Sequence, residues 1–271
     1  KIIEKSAFIF SGLREFTAPS SLIEIGDFVF NYTNLGDINF EPGSKLKKIG
    51  RNCFYKCQIE KFDLPSEIVE ISDGTFSNCK KLKSFIITKN SKLKIIGKEA
   101  FGESSIEKIS IPSCLTTIKK GAFDTCLNLS EFKIPQNSQL SSIGDNAFMC
   151  CGLTSFCFPS NLTKIGQHSF YKCRSLQKVF MPPDLKIDEI DKFTFAFSSL
   201  KCFSLPASVS RMYKCFTFCE DLILFEIGDD SKITEIDAIC FHGSKNITIM
   251  ISAKLNIKFN NTNYDLIYFW N

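Results

Sequence analysis

A phenylalanine returns along this chain every 21–25 residues. It stands at Phe8, Phe30, Phe54, Phe76, Phe101, Phe123, Phe148, Phe170, Phe195, Phe216 and Phe241, eleven times in all. Each lies in a variant of one phrase, clearest in "IGRNCFYKC", "ISDGTFSNC", "IKKGAFDTC", "IGDNAFMCC" and "IGQHSFYKC". The intervals alternate between short and long: 22, 24, 22, 25, 22, 25, 22, 25, 21 and 25 residues. A unit of this size cannot bury its own apolar face and must stack on copies of itself, so a fixed period of this length marks a solenoid.

Each unit carries two further phrases. After the phenylalanine comes L-x-x-I/F-x-I/L-P, as in "LSEFKIP" (129–135) and "LTSFCFP" (153–159). Its alternation of apolar and polar residues reads as a short strand, ended by a proline that lacks the N–H a strand interior needs. Before the phenylalanine comes L-x-x-I, as in "LTKI" (162–165), expected to be a second short strand or extended segment. The long units add turn residues such as "EPGSK" between proline and leucine. The expected fold is therefore a solenoid of eleven 21–25-residue coils over residues 1–252. It has parallel strands on one face and is mostly β, with short turns or helical turns between. At ~4.8 Å per coil its spine runs about 50 Å. Each ladder phenylalanine is expected to be fully enclosed. The rhythm stops near residue 252, so 253–271 reads as a segment covering the last coil or a tail. The strand that should precede Ile3 is missing, so the first coil reads as incomplete and the chain as part of a longer protein.

Thirteen cysteines raise the question of metal or disulfides, because "CFYKC" (53–57) and "CFTFC" (215–219) each place two thiols four apart. The repeat answers it. The residue before the phenylalanine is Cys53, Cys215 or Cys240 in three copies and Ala, Val, Thr or Ser in the others. Three residues after it stand Cys57, Cys79, Cys126, Cys151, Cys173 and Cys219, alternating with Ser or Thr. A ligand or a disulfide partner is not interchangeable with such residues between equivalent sites. These nine cysteines thus read as small residues filling tight interior slots. Cys114, Cys150, Cys157 and Cys202 fall outside the pattern, the last two on the outward side of strands.

The combined phrase L-x-x-I-x-I-P followed by L-x-x-I-G-x-x-A-F-x-x-C resembles the BspA-like, Treponema-type leucine-rich repeats. "LTTIKKGAFDTCLNLSEFKIP" (115–135) and "LTKIGQHSFYKCRSLQKVFMP" (162–182) carry the likeness most fully, and it extends from residue 3 to about 252. The tenth copy departs from it, with Met212 in place of isoleucine, and the eleventh lacks the proline. The resemblance implies a surface or secreted module that adheres to host cells or extracellular-matrix proteins. It brings no catalytic residues and no cofactor.

The residues themselves supply little chemistry. A net charge of +4, from 33 basic and 29 acidic residues, is too balanced to point to nucleic acid. No apolar run approaches the length of a bilayer span. Phosphate-loop, dinucleotide, nucleophile-elbow and zincin motifs are absent. The two histidines, His168 and His242, occupy variable positions of the repeat phrase. "GDDSK" (228–232) reads as a solvated turn rather than a metal loop. Lys80, Lys81, Lys83, Lys89, Lys92, Lys94 and Lys98 form a run without an acid, either a patch for anionic glycan or phosphate or simply a solvated face. Glycosylation sequons stand at Asn31, Asn128, Asn161, Asn246 and Asn260, with Asn31 and Asn161 expected in turns or loops.

A partner would meet the outward residues of the strands. Those of the early coils are mostly charged. In the later coils Ser155, Cys157, Lys178, Phe180, Cys202, Ser204, Leu224 and Glu226 form an apolar strip with a charged rim, the composition of an interaction site. Two function classes stand: a cell-surface or secreted module binding a protein or glycan, and a cytoplasmic scaffold binding a protein partner, which many free thiols would suit.

Overall fold

The computed structural model describes residues 1–244 and 246–260, and the backbone of Ile267–Trp270. It is a solenoid of parallel strands in two ladders. The only helix among the described residues is the single 3-10 turn Ala238–Phe241. The L-x-x-I phrase forms two-residue strands, for example Thr117–Ile118, which pairs in parallel with Ile95–Ile96 on one side and Ser142–Ile143 on the other. The second phrase forms strands of three to five residues, such as Lys61–Leu64, Ser84–Ile87, Lys108–Ser110 and Glu131–Lys133 in one continuous sheet. Register is kept by chemistry: Phe62 lies beside Phe85 and Ile109 beside Phe132, so every inward residue meets the inward residue of the next coil.

The ladder phenylalanines form one spine. All ten successive pairs are stacked, with centroids 5.1–5.9 Å apart and planes 2–18° from parallel. Strand residues meet the spine edge-on: Phe85 on Phe101 at 4.8 Å and 85°, Phe132 on Phe148 at 5.0 Å and 82°. Offset stacks and edge-to-face contacts are the arrangements that the ring quadrupole favours. Phe30 through Phe241 are wholly buried. Phe8 is not. It is half-buried, because it has a neighbouring ring on one side of the stack only.

The turn phrase is itself hydrogen-bonded from coil to coil. Residues two before and two after the ladder phenylalanines have φ of +50° to +87°, for example Asn52, Lys56, Asn146 and Cys150, with Gly74 and Gly121 among them; Ile239, before Phe241, is the exception and lies in the 3-10 turn. The alternation points N–H groups along the spine. Phe54 donates to Thr75 O at 2.9 Å, and Asn52 and Lys56 on either side donate to Asp73 O and Ser77 O, each at 3.0 Å. The phrase is thus a third ladder, which pairs backbone groups that burial would otherwise penalise. In the long units Ser44, Ser91, Ser138 and Ser231 accept the N–H two residues on and close the added turn.

Pairing runs past residue 252, where the sequence rhythm ends. Lys258–Asn260 pairs in parallel with Glu235–Asp237, and the backbone of Ile267–Trp270 pairs with Thr248–Ser252. Phe259 stands beside Ile236, and Leu255, Ile257 and Phe259 pack on the core. Strand pairing thus continues on the last coils without the phenylalanine phrase.

Candidate interaction surface

Along each longer strand the side chains alternate, one set on the spine and the other in solvent. Ser155–Cys157 and Lys178–Phe180 pair so that Ser155 stands beside Lys178 and Cys157 beside Phe180. All four are exposed, Phe180 by 56%. Cys202–Leu205 and Leu224–Ile227 pair so that Cys202 stands beside Leu224 and Ser204 beside Glu226, with a 2.6 Å hydrogen bond from Ser204 Oγ to Glu226 Oε2. Cys202 and Ser204 are exposed, while Leu224 and Glu226 are half-buried. The eight residues therefore lie on one face but in two sheets, since no strand pairing links Phe180's strand to that of Cys202.

A groove on this face extends toward the early coils. It encloses about 710 Å³ between Lys108, Ser110, Glu131, Lys133, Ser155 and Cys157. Glu131 lies 3.1 Å from Lys133 and 3.4 Å from Lys108. The hydrogen bond from Lys133, with help from Lys108, holds its carboxyl below the usual carboxylate range. The alternating pattern gave these residues as outward. Their role as a groove wall was not visible, because depth depends on how neighbouring coils sit.

The interior slots have a second use besides fitting. Sγ of Cys57, Cys79, Cys126, Cys151, Cys173 and Cys219 each lies 3.0–3.1 Å from the carbonyl of a ladder phenylalanine in an adjoining coil and donates to it. Ser244 Oγ donates to a different carbonyl of the preceding coil, Cys219 O, at 3.0 Å. Cysteine and serine therefore interchange here because both are small. Burial pushes the thiols of Cys57 and Cys219 up to about 11 and that of Cys173 to about 12. A protonated, enclosed thiol is a poor nucleophile and a poor metal ligand. No group of three or more His, Cys, Asp or Glu side chains suited to a metal occurs among the described residues. Half-buried Cys114 donates to Ser91 O and Leu93 O, each at 3.2 Å.

Other singled-out residues take ordinary places. His168 is half-buried against the rings of Phe193 and Tyr171, and exposed His242 lies against Phe218. Asp229 of "GDDSK" pairs with Lys254. In the lysine run, Lys80 pairs with Glu103, Lys92 with Glu67 and Lys98 with Glu99, so acids from outside the run offset it. Asn128, Asn161 and Asn246 are exposed and Asn260 is half-buried. Asn31 departs from the expectation of an open turn. It is 6% exposed and its amide donates to Asn52 O at 3.2 Å, because the turn phrase is itself part of the stack. A glycan there needs the coil to open.

The model of the BspA type leucine rich repeat region, in six copies, matches residues 1–129, 94–222 and 141–265. The chain belongs to this family. Solved structures share the fold. A leucine-rich repeat protein from Bacteroides ovatus aligns at a TM-score of 0.62 with 24% identity, over 98% of this chain and 66% of that one. The pneumococcal vaccine antigen PcpA aligns at 0.51 with 18% identity, over 92% and 79%. The Treponema pallidum leucine rich repeat protein aligns at 0.50 with 20% identity, over 69% and 78%. A comparison with curated proteins returns no match. Among the described residues no helix is long and apolar enough to cross a membrane.

Proposed function

We propose that this BspA-type chain is a non-enzymatic surface or secreted module that adheres to a host-cell or extracellular-matrix protein through the strand face between Ser155 and Glu226. The observation that carries the reading is Phe180, a large ring left 56% exposed on a ruled strand face, beside exposed Cys157 and flanked by Lys178. Exposed aromatic anchors with a charged rim are what protein partners engage. Similarity to a pneumococcal vaccine antigen fits a surface location. The test is a binding screen of the chain against matrix proteins and host-cell surfaces, repeated with Phe180→Ala. Binding that falls at least tenfold, with a stability change within about 0.5 kcal/mol, supports the reading. Unchanged binding by the variant refutes it.

A second reading is favoured by one observation: all thirteen cysteines are free thiols, as in a reducing compartment. On that reading the same face binds an intracellular protein. Glycans on Asn128, Asn161 or Asn246 in material from native cells select the first reading. Their absence there together with cytosolic fractionation selects the second.

A further inference from the structure

The turn phrase forms a third side of the coil, distinct from the strand face. In the later coils it carries rings and ammonium groups that the strand-face reading does not use. Tyr171 lies 5.4 Å from Phe197, Phe197 lies 4.8 Å from Phe218, and the last two are stacked. Lys172 holds Nζ 5.2 Å from the centre of Tyr171, and Lys192 and Lys214 hold theirs 5.2 and 5.6 Å from the centre of Tyr213. The three lysines come from consecutive coils, and none forms an ion pair within the described residues. The turn phrases of the middle coils carry Glu99, Glu103 and Asp124 beside Lys98, Lys119 and Lys120, whereas the late phrases from 168 to 218 hold one acid, Asp191.

The rings sit where the backbone disfavours them. Phe193, Phe197 and Phe218 have φ of 55°, 59° and 56°. Other coils fill the same positions with Asn52, Gly74, Asn78, Gly121, Asn146 or Gly243, which tolerate this region, and the first two coils with Phe10, Phe28 and Tyr32. Burial does not compensate for the strain, since Phe218 is 38% exposed and the other two are half-buried.

We propose that this turn edge binds a sulfated polysaccharide. Unpaired ammonium groups on consecutive coils, with a coil repeat of ~4.8 Å, complement a stiff polymer carrying closely spaced fixed negative charges. Holding each ammonium over a ring fixes its position before the ligand arrives. Single-stranded nucleic acid fits less well, because it needs open ring faces for its bases. Here Lys172 covers Tyr171, Lys192 and Lys214 lie against Tyr213, and Phe197 and Phe218 cover each other. Exposed cations held beside rings suit sulfate groups on a sugar with apolar C–H edges.

The probe is heparin, titrated against the whole chain at several salt concentrations. The triple variant K172Q/K192Q/K214Q is expected to bind at least tenfold more weakly and with a shallower salt dependence. K81Q/K83Q/K89Q, from the lysine run, should change binding less than twofold. Phe218→Asn relieves the backbone strain, so it keeps the fold while weakening heparin several-fold. Phe180→Ala should leave heparin binding within twofold, which separates this surface from the strand face. The proposal is overturned if the native chain does not bind heparin, or if the triple variant or Phe218→Asn binds as the native chain does. Equal binding of desulfated heparin overturns it too. So does tighter binding of oligo-dT, which assigns the surface to nucleic acid instead.

Discussion

Replacing Phe123 by alanine tests the spine directly. Its ring is fully buried, stacked between Phe101 at 5.1 Å and Phe148 at 5.3 Å, and met edge-on by Phe132 at 5.4 Å. A buried Phe→Ala change costs about 3–5 kcal/mol from lost transfer energy and the cavity left behind. Three aromatic contacts, each worth ~0.5–1.5 kcal/mol, place this site at the upper end, about 4–5 kcal/mol. Phe8→Ala is the internal control. Phe8 is half-buried and stacks only on Phe30, at 5.5 Å. Its expected cost is about 1–2 kcal/mol. Urea unfolding reads both numbers as shifts in midpoint, with the slope checked for lost cooperativity. Amide exchange then locates the damage. Because each coil contacts only its neighbours, faster exchange in Phe123→Ala should centre on residues 95–150 and fade toward both ends. Equal costs at the two positions, or uniform loss of protection along the chain, would refute the stacked-spine account.

Thiol chemistry gives further checks. A disulfide reagent added to the native chain should label exposed Cys157 and Cys202 first, and the nine slot cysteines only on unfolding; rapid native labelling of Cys57 or Cys173 would contradict the enclosed slots. The raised thiols also predict a pH dependence. The unfolded chain ionises near pH 8.5–9, whereas Cys57 and Cys219 stay protonated to about 11 and Cys173 to about 12. Their contribution is fully present below the unfolded value and is lost as pH rises from about 9 to 11, by roughly 1 kcal/mol per thiol per pH unit. Urea midpoints across that range should fall, and Cys57→Ser should make the fall shallower. Cys150→Asn, at a φ of 56° and outside the slots, should stabilise by about 0.5–1 kcal/mol, read as a higher Tm.

Much of the fold was legible because each coil repeats the same chemical demand. The phenylalanine period, the strand phrases and the replacement of Cys57 by Ser104 or Thr33 at equivalent positions are all statements about residue type against period. Alternation along "TSFCF" was enough to put Cys157 outward and Phe156 inward, since side chains on a strand have a period of two. The same rule placed Phe180 in solvent, but it gave no sign that the groove beside Cys157 draws in Lys108 and Glu131 from earlier coils.

Sequence alone thus determined that coils stack, which residues they share as a spine, and that cysteine stands in place of serine rather than as a ligand. Tertiary structure decided the rest. It put bulky residues such as Phe218 in the left-handed region, enclosed Asn31, left Phe8 half-open and separated Phe180's sheet from that of Cys202. The physical reason is the same in each case. These features arise from the hydrogen bonds and contacts that one coil makes with the next, and no pattern within a single coil encodes the neighbour's position.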